Sequence, residues 1–156
     1  MTLLLTEPDL ARTLRYNYVF RGLPSDVIAG IAALATTRDY RGGDIIVRQY
    51  DEGSDLLIIL EGAARIKSID GETIAEFGPG SIVGEMALID DEPRSATVTA
   101  MHDVRVAIIP SKGLHAFMDM DPEVGKTIMT NIARVLCRRM RTMNAVSHAP
   151  EHRRLR

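Results

Sequence analysis

The chain has 156 residues, 46% of them hydrophobic and 26% charged, with a formal net charge of −2. These values suit one globular domain with its own core and exclude a disordered chain. Nowhere do about 18 apolar residues run together, so a helical bilayer span is excluded, and the net charge gives no bulk attraction to nucleic acid. Cys137 is the only cysteine, which rules out an internal disulfide and a cluster needing four thiolates. The start, Met1-Thr2-Leu3-Leu4-Leu5-Thr6-Glu7, lacks a basic n-region and a cleavage pattern, which predicts a cytoplasmic protein.

A first helix is predicted over residues 8–18, with Pro8 early and Leu10 and Leu14 four apart. Phe20-Arg21-Gly22-Leu23-Pro24 reads as a turn, and Ser25 as the N-cap of a second helix over 26–35. From residue 38 to 110 the signals become short strands: 45–47, 56–60, 64–67, 73–77, 96–101 and 104–109, separated by turns bearing glycine or aspartate. Asp70-Gly71 is a strong hairpin signal. So many short strands predict an α+β chain built on a jelly-roll-like β-sandwich, flanked by N-terminal helices and a long C-terminal helix. A short helix follows over 111–118. The last helix begins at Asp121 with Pro122 at its first position and runs to about residue 145. Along it Met129, Ile132, Leu136 and Met143 keep a three-four spacing, widened by Ile128, Val135 and Met140. At about 25 residues it is about 37 Å long, more than its own core requires, so part of its stripe should meet a second copy or a ligand. The chain divides into an N-terminal helical segment (1–36), a strand-rich segment (37–110), C-terminal helices (111–146) and a tail (147–156).

The most informative stretch is Gly84-Glu85-Met86-Ala87-Leu88-Ile89-Asp90-Asp91-Glu92-Pro93-Arg94-Ser95-Ala96. Gly84 lets backbone approach a ligand without a Cβ in the way. Glu85-Met86-Ala87-Leu88 favours a short helix that Asp90, Asp91 and Pro93 end. Its N-terminal N–H groups suit a phosphate. Arg94 brings a permanently charged fork for two phosphate oxygens, and Ser95 a hydroxyl. Glu85 would repel that phosphate unless it faces a sugar hydroxyl, so the set describes a nucleotide whose phosphate lies close to its ribose.

Gly-Glu-Met-Ala-Leu, a short gap, then Pro-Arg-Ser-Ala-Thr-Val resembles the phosphate-binding cassette of cyclic nucleotide-binding domains, including the bacterial catabolite activator proteins. Gly42-Gly43-Asp44-Ile45-Ile46, Asp51-Glu52-Gly53-Ser54 and Ile58-Ile59-Leu60-Glu61-Gly62 fall where that family carries its β-roll turns, and Gly80 precedes the cassette at the usual spacing. The resemblance covers roughly residues 20–145. It implies a non-enzymatic sensor of cyclic AMP or cyclic GMP, with no cofactor and no metal. Glu85 would accept from the ribose 2′-OH and Arg94 would pair with the cyclic phosphate. The N–H groups of Gly84, Glu85, Met86, Ala87, Ser95 and Ala96 would supply further donors, and Val83 and Ile74 would wall the pocket. The Arg94-Ser95-Ala96 run resembles cyclic-AMP receptors more than cyclic-GMP-selective ones.

The chain departs from the family at two places. Tyr50 stands where the family usually has glycine, which predicts a differently shaped turn. Where catabolite activator proteins place small hydroxyl residues on the long helix to touch adenine, this chain reads Arg138-Arg139-Met140, so Arg139 joins the candidate ligand residues. About ten residues follow the long helix, too few for a helix-turn-helix. The expectation is a regulatory module that does not bind DNA or membrane directly, acts through an unidentified effector protein and forms a homodimer through the C-terminal helix. A scaffold of the same fold without ligand, and a sensor of haem or another small effector, are the alternatives.

The other reactive residues suggest less. His102, His115, His148 and His152 lack metal-ligand spacing, and Ser95, Ser111 and Ser147 have no recognisable base partner. No lysine-bearing phosphate loop is present. Cys137 reads as a packed helical thiol, and His152-Arg153-Arg154-Leu155-Arg156 as a solvated terminus.

Overall fold

A computed structural model describes residues 7–147; the N-terminal start, His148, His152 and the basic run at the end lie outside them. In chain order the elements are α1 (Glu7–Arg15), a 3₁₀ turn (Tyr18–Phe20), α2 (Ser25–Leu34), β1 (Thr36–Tyr40), β2 (Ile45–Val47), β3 (Leu56–Glu61), β4 (Ala64–Lys67), β5 (Thr73–Phe77), β6 (Ile82–Val83), α3 (Glu85–Asp90), β7 (Val98–Ala100), β8 (Val104–Ile109), α4 (Ser111–Met120) and α5 (Pro122–Ser147). The strands form two antiparallel four-stranded sheets, ordered β1-β8-β3-β6 and β2-β7-β4-β5. This is the expected sandwich with flanking helices.

The run Leu56-Leu57-Ile58-Ile59 is apolar without alternation because the first sheet is buried on both faces. Leu57 and Ile59 point into the sandwich with Val83, Val98 and Val106. Leu56 and Ile58 point the other way, with Ala107 and Ile109, onto a helical layer containing Leu14, Phe20, Ile31, Leu114 and Ile132. A strand covered on both sides has no solvent face to supply polar residues. The second sheet has one open face, and β5 shows it: Phe77 packs inward, while Ile74 is 66% exposed.

Several local expectations change. The first helix stops at Arg15, because Asn17 uses its side chain to accept from Val19 N and starts the 3₁₀ turn instead. The Asn17 amide also donates to Gly80 O at 2.9 Å, tying this turn to the strand layer. Pro24, not Ser25, is the N-cap of α2. Strands β1 and β6 were not separately expected. Tyr50 takes φ 71°, a left-handed backbone conformation that glycine adopts most easily.

Helix α5 also differs. Val124, Ile128, Ile132 and Val135 are buried in the chain's own core, with Leu136 and Met129 only partly covered. The Asn131 side chain donates to Val19 O and Arg21 O at 2.9 and 3.0 Å, fixing the helix to the 3₁₀ turn. Ile132 therefore belongs to the interior and not to a surface stripe. Met140, Met143 and Cys137 are exposed, so the packed-thiol reading of Cys137 is corrected.

Candidate ligand-binding site

Strand β6 delivers Ile82 and Val83 into the core, and the chain then turns at Gly84 with φ 87° to begin α3. A Cβ here would run into Arg94 Nη1 and lie 3.0 Å from Asp55 O, so glycine is required both by conformation and by space. Ala87 and Leu88 bury one face of α3, while Met86 is about half exposed. Gly84 offers no side-chain cap, so the first N–H groups of α3 keep their hydrogen-bonding capacity.

Arg94 reaches this helix end from the following loop. Its backbone is fixed twice, Arg94 N donating to Asp51 O and Tyr50 N donating to Arg94 O, both at 2.9 Å. The turn carrying Tyr50 thus positions the candidate phosphate arginine. Arg94 is 8% exposed, and its guanidinium donates to Asp55 O at 3.0 Å and Gly84 O at 3.4 Å. Burial holds its pKa below the usual arginine value, opposed by the carboxylates of Asp55 and Glu85; at neutral pH it remains a cation. None of the ion pairs among the described residues includes it. A buried cation that hydrogen-bonds only to neutral carbonyls, with the carboxylates acting on it from a distance, is suited to a directly bound anion.

Glu85 is also buried, and its partner comes from α5. Arg139 Nη1 donates to Glu85 Oε1, Arg139 Nη2 donates to Ile82 O at 2.9 Å, and the guanidinium lies 5.3 Å from the centre of the Phe77 ring. One residue back, Arg138 lies over the Tyr18 ring, whose hydroxyl accepts from Ile82 N at 3.3 Å. Burial raises the Tyr18 pKa. Both backbone groups of Ile82, two residues before Gly84, are therefore held by helical elements.

Gly84, Glu85, Met86, Ala87, Arg94 and Arg139 come together around the start of α3. Ser95 is exposed, with its hydroxyl 3.7 Å from Met86 Sδ, and Ala96 is half-buried. Val83 faces the sandwich interior. Ile74 takes no part in these contacts. Asp55 was not anticipated: its carbonyl serves Arg94, and its carboxylate accepts from Ser111 N at 3.1 Å. A backbone carbonyl leaves no signature in sequence. An adjacent cleft of about 410 Å³ is lined by Glu52, Gly53, Ser54, Asp91, Glu92 and Pro93, and its three carboxylates make it unsuited to a phosphate. Among the described residues no group of histidine, cysteine, aspartate or glutamate could hold a metal ion, and no helix is long and apolar enough to cross a membrane.

Comparison with known proteins bears on this arrangement. The chain is 33% identical over 123 residues to glutaminase 2 of Bradyrhizobium diazoefficiens, covering 79% of this chain and 20% of that protein. It is 33% identical over 98 residues to a cAMP-dependent protein kinase regulatory subunit of Debaryomyces hansenii, covering 63% of this chain and 22% of the relative. The chain thus spans about a fifth of the length of these curated relatives. A crystal structure of a cyclic nucleotide-binding domain from Methylobacillus flagellatus superposes with a TM-score of 0.74 at 25% identity, covering 87% of this chain and 79% of that one. The family model described as the cyclic nucleotide-binding domain matches residues 37–121, which include β2 to β8, all of β1 but Thr36, α3 and all of α4. The chain belongs to the cyclic nucleotide-binding domain family.

Proposed function

We propose that the chain binds cyclic AMP between Gly84, Glu85 and Arg94 and works as a non-enzymatic regulatory module whose occupancy is passed to a partner protein through α5. The observation that carries this reading is the pair of buried, oppositely charged side chains at one helix N-terminus. Arg94 gives its hydrogen bonds to neutral carbonyls and can still take an anion directly, and Glu85 lies where it can accept from a hydroxyl. A cyclic nucleotide supplies both groups on one rigid scaffold. In this reading the phosphate takes donors from Arg94 and from the N–H groups of Gly84 to Ala87, and the ribose 2′-OH donates to Glu85. Arg139 neutralises Glu85, which lowers the repulsion an approaching phosphate would otherwise meet. The preference for adenine draws on the kinase regulatory relative, named as cAMP-dependent. The glutaminase match covers too little of that protein to carry its activity here.

Calorimetric titration with cyclic AMP, cyclic GMP and linear 5′-AMP tests the reading. Saturable binding of cyclic AMP, weaker binding of cyclic GMP and weaker still of 5′-AMP is expected. Equal affinity for the linear and cyclic nucleotides would refute the site. A scaffold without ligand is the second reading, favoured by one observation, that Glu85 is already engaged by Arg139; silence with all three nucleotides would select it.

The same reading includes a homodimer through α5, along a line that keeps Met129, Leu136 and Met143 of the sequence pattern and leaves out Ile132. With Ile128, Ile132 and Val135 spent on the chain's own core, Met129, Ala133, Leu136, Met140 and Met143 continue on an adjoining line at alternate steps of four and three. That spacing is the seam of a two-stranded coiled coil.

A further inference from the structure

Helix α3 has six residues, far below the length at which an isolated helix holds in water. Its N–H groups can aim at a phosphate only if the rest of the fold fixes its axis. At the N-terminal end Gly84 and the Glu85–Arg139 pair do so. At the C-terminal end Asp91 N closes on Ala87 O at 3.2 Å, and the next carbonyl, Leu88 O, lies 2.9 Å from Nε2 of His115 on α4. A carbonyl can only accept, so Nε2 carries the hydrogen and a neutral His115 leaves Nδ1 as the bare nitrogen.

We infer that His115 is a positioning residue for the nucleotide site: by donating to Leu88 O it holds the far end of α3, and so sets the direction of the N–H groups at the near end. This rests on the reading that α3 binds the phosphate. The anchor itself is firm. Leu114 is fully buried and Met118 nearly so. At its start α4 is capped from outside, Ser111 N donating to Asp55 Oδ1 at 3.1 Å and the Ser111 and Ser54 hydroxyls lying 2.7 Å apart. Asp55 also accepts from Arg94 through its carbonyl. Helix α4 therefore supports both halves of the site, α3 through His115 and Arg94 through Asp55.

The test compares the parent chain, His115→Ala and His115→Gln by calorimetric titration with cyclic AMP and cyclic GMP, together with their melting temperatures. It also uses the nitrogen NMR signature of the His115 ring in the parent. Loss of one neutral hydrogen bond predicts about two- to tenfold weaker binding for His115→Ala. His115→Gln, whose amide can donate at similar reach, should recover most of it, and the neutral ring should show its proton on Nε2. The inference is overturned if His115→Ala binds as the parent does, whatever its melting temperature, or if the glutamine variant is no better than alanine. A neutral ring protonated on Nδ1 also overturns it, and this needs no variant to fold. If the parent binds neither nucleotide, the function proposed above fails and the positioning role falls with it; loss confined to the variants' behaviour leaves that function standing.

Discussion

Arg139→Ala should destabilise the fold more than Glu85→Ala, although each removes one half of the same ion pair. The Glu85 side chain is 5% exposed and that of Arg139 is 34% exposed. Removing Arg139 strands a carboxylate where water cannot reach it. Breaking a fully buried pair costs about 3–5 kcal/mol, and the partial exposure of this pair puts the loss at the low end, about 3 kcal/mol. Removing Glu85 leaves a guanidinium that water can already reach and that retains Ile82 O and the Phe77 ring, so about 1 kcal/mol is expected. For a domain of this size these losses correspond to melting-temperature drops of about 6–12 °C and about 2–4 °C. The double variant, which strands neither charge, should be more stable than Arg139→Ala alone. Urea and thermal unfolding of the parent and the three variants, followed by far-ultraviolet circular dichroism, gives all four values. Equal losses for the two single variants, or a double variant whose loss is their sum, would refute the reasoning.

Arg94→Ala should weaken cyclic nucleotide binding by at least about tenfold, since charged hydrogen bonds contribute roughly 1.5–3 kcal/mol each. It should change the melting temperature of the free protein little, because the arginine's own partners are two carbonyls; unchanged affinity in calorimetry would remove the phosphate assignment. Gly84→Ala places a Cβ against Arg94 Nη1 at φ 87°, and should lose about 1–2 kcal/mol of stability in urea unfolding together with measurable affinity. Met140→Asp should shift a dimer toward monomer in sedimentation without unfolding it, whereas Ile132→Asp, at a fully buried position, should unfold the chain. A parent that sediments as a monomer at tens of micromolar would end the coiled-coil proposal.

The features legible in the sequence were those whose causes are local. Strands β2, β4, β5 and β8 begin and end where turn residues and apolar runs place them, and Gly84, Glu85 and Arg94 declare themselves because they lie within one short cassette. What stayed hidden depended on distant partners. Strand β1, Thr36-Thr37-Arg38-Asp39-Tyr40, is a polar edge strand that exists because β8 pairs with it. The two residues of β6 form a strand only against Leu57 and Ile58. On α5 the three-four spacing was plain, but two adjoining apolar lines satisfy it; only the packing of α4 and the 3₁₀ turn against the helix decides that Ile128 and Ile132 go inside. Arg139 stands 54 residues from Glu85, so no local pattern announces the ion pair between them. The supports from Asp55 and His115 run to backbone carbonyls, which every residue possesses and no pattern marks.

The central claim, that Glu85 and Arg94 grip the ribose and phosphate of one cyclic nucleotide, is tested most directly by a calorimetric cycle combining Glu85→Ala with removal of the ligand's 2′-hydroxyl. Cyclic AMP and its 2′-deoxy analogue are each titrated into the parent and into the variant. If the carboxylate and the hydroxyl meet, either change alone weakens binding, and the second adds little once the first has been made. Fully additive losses, or a parent that binds both ligands equally, would contradict the account.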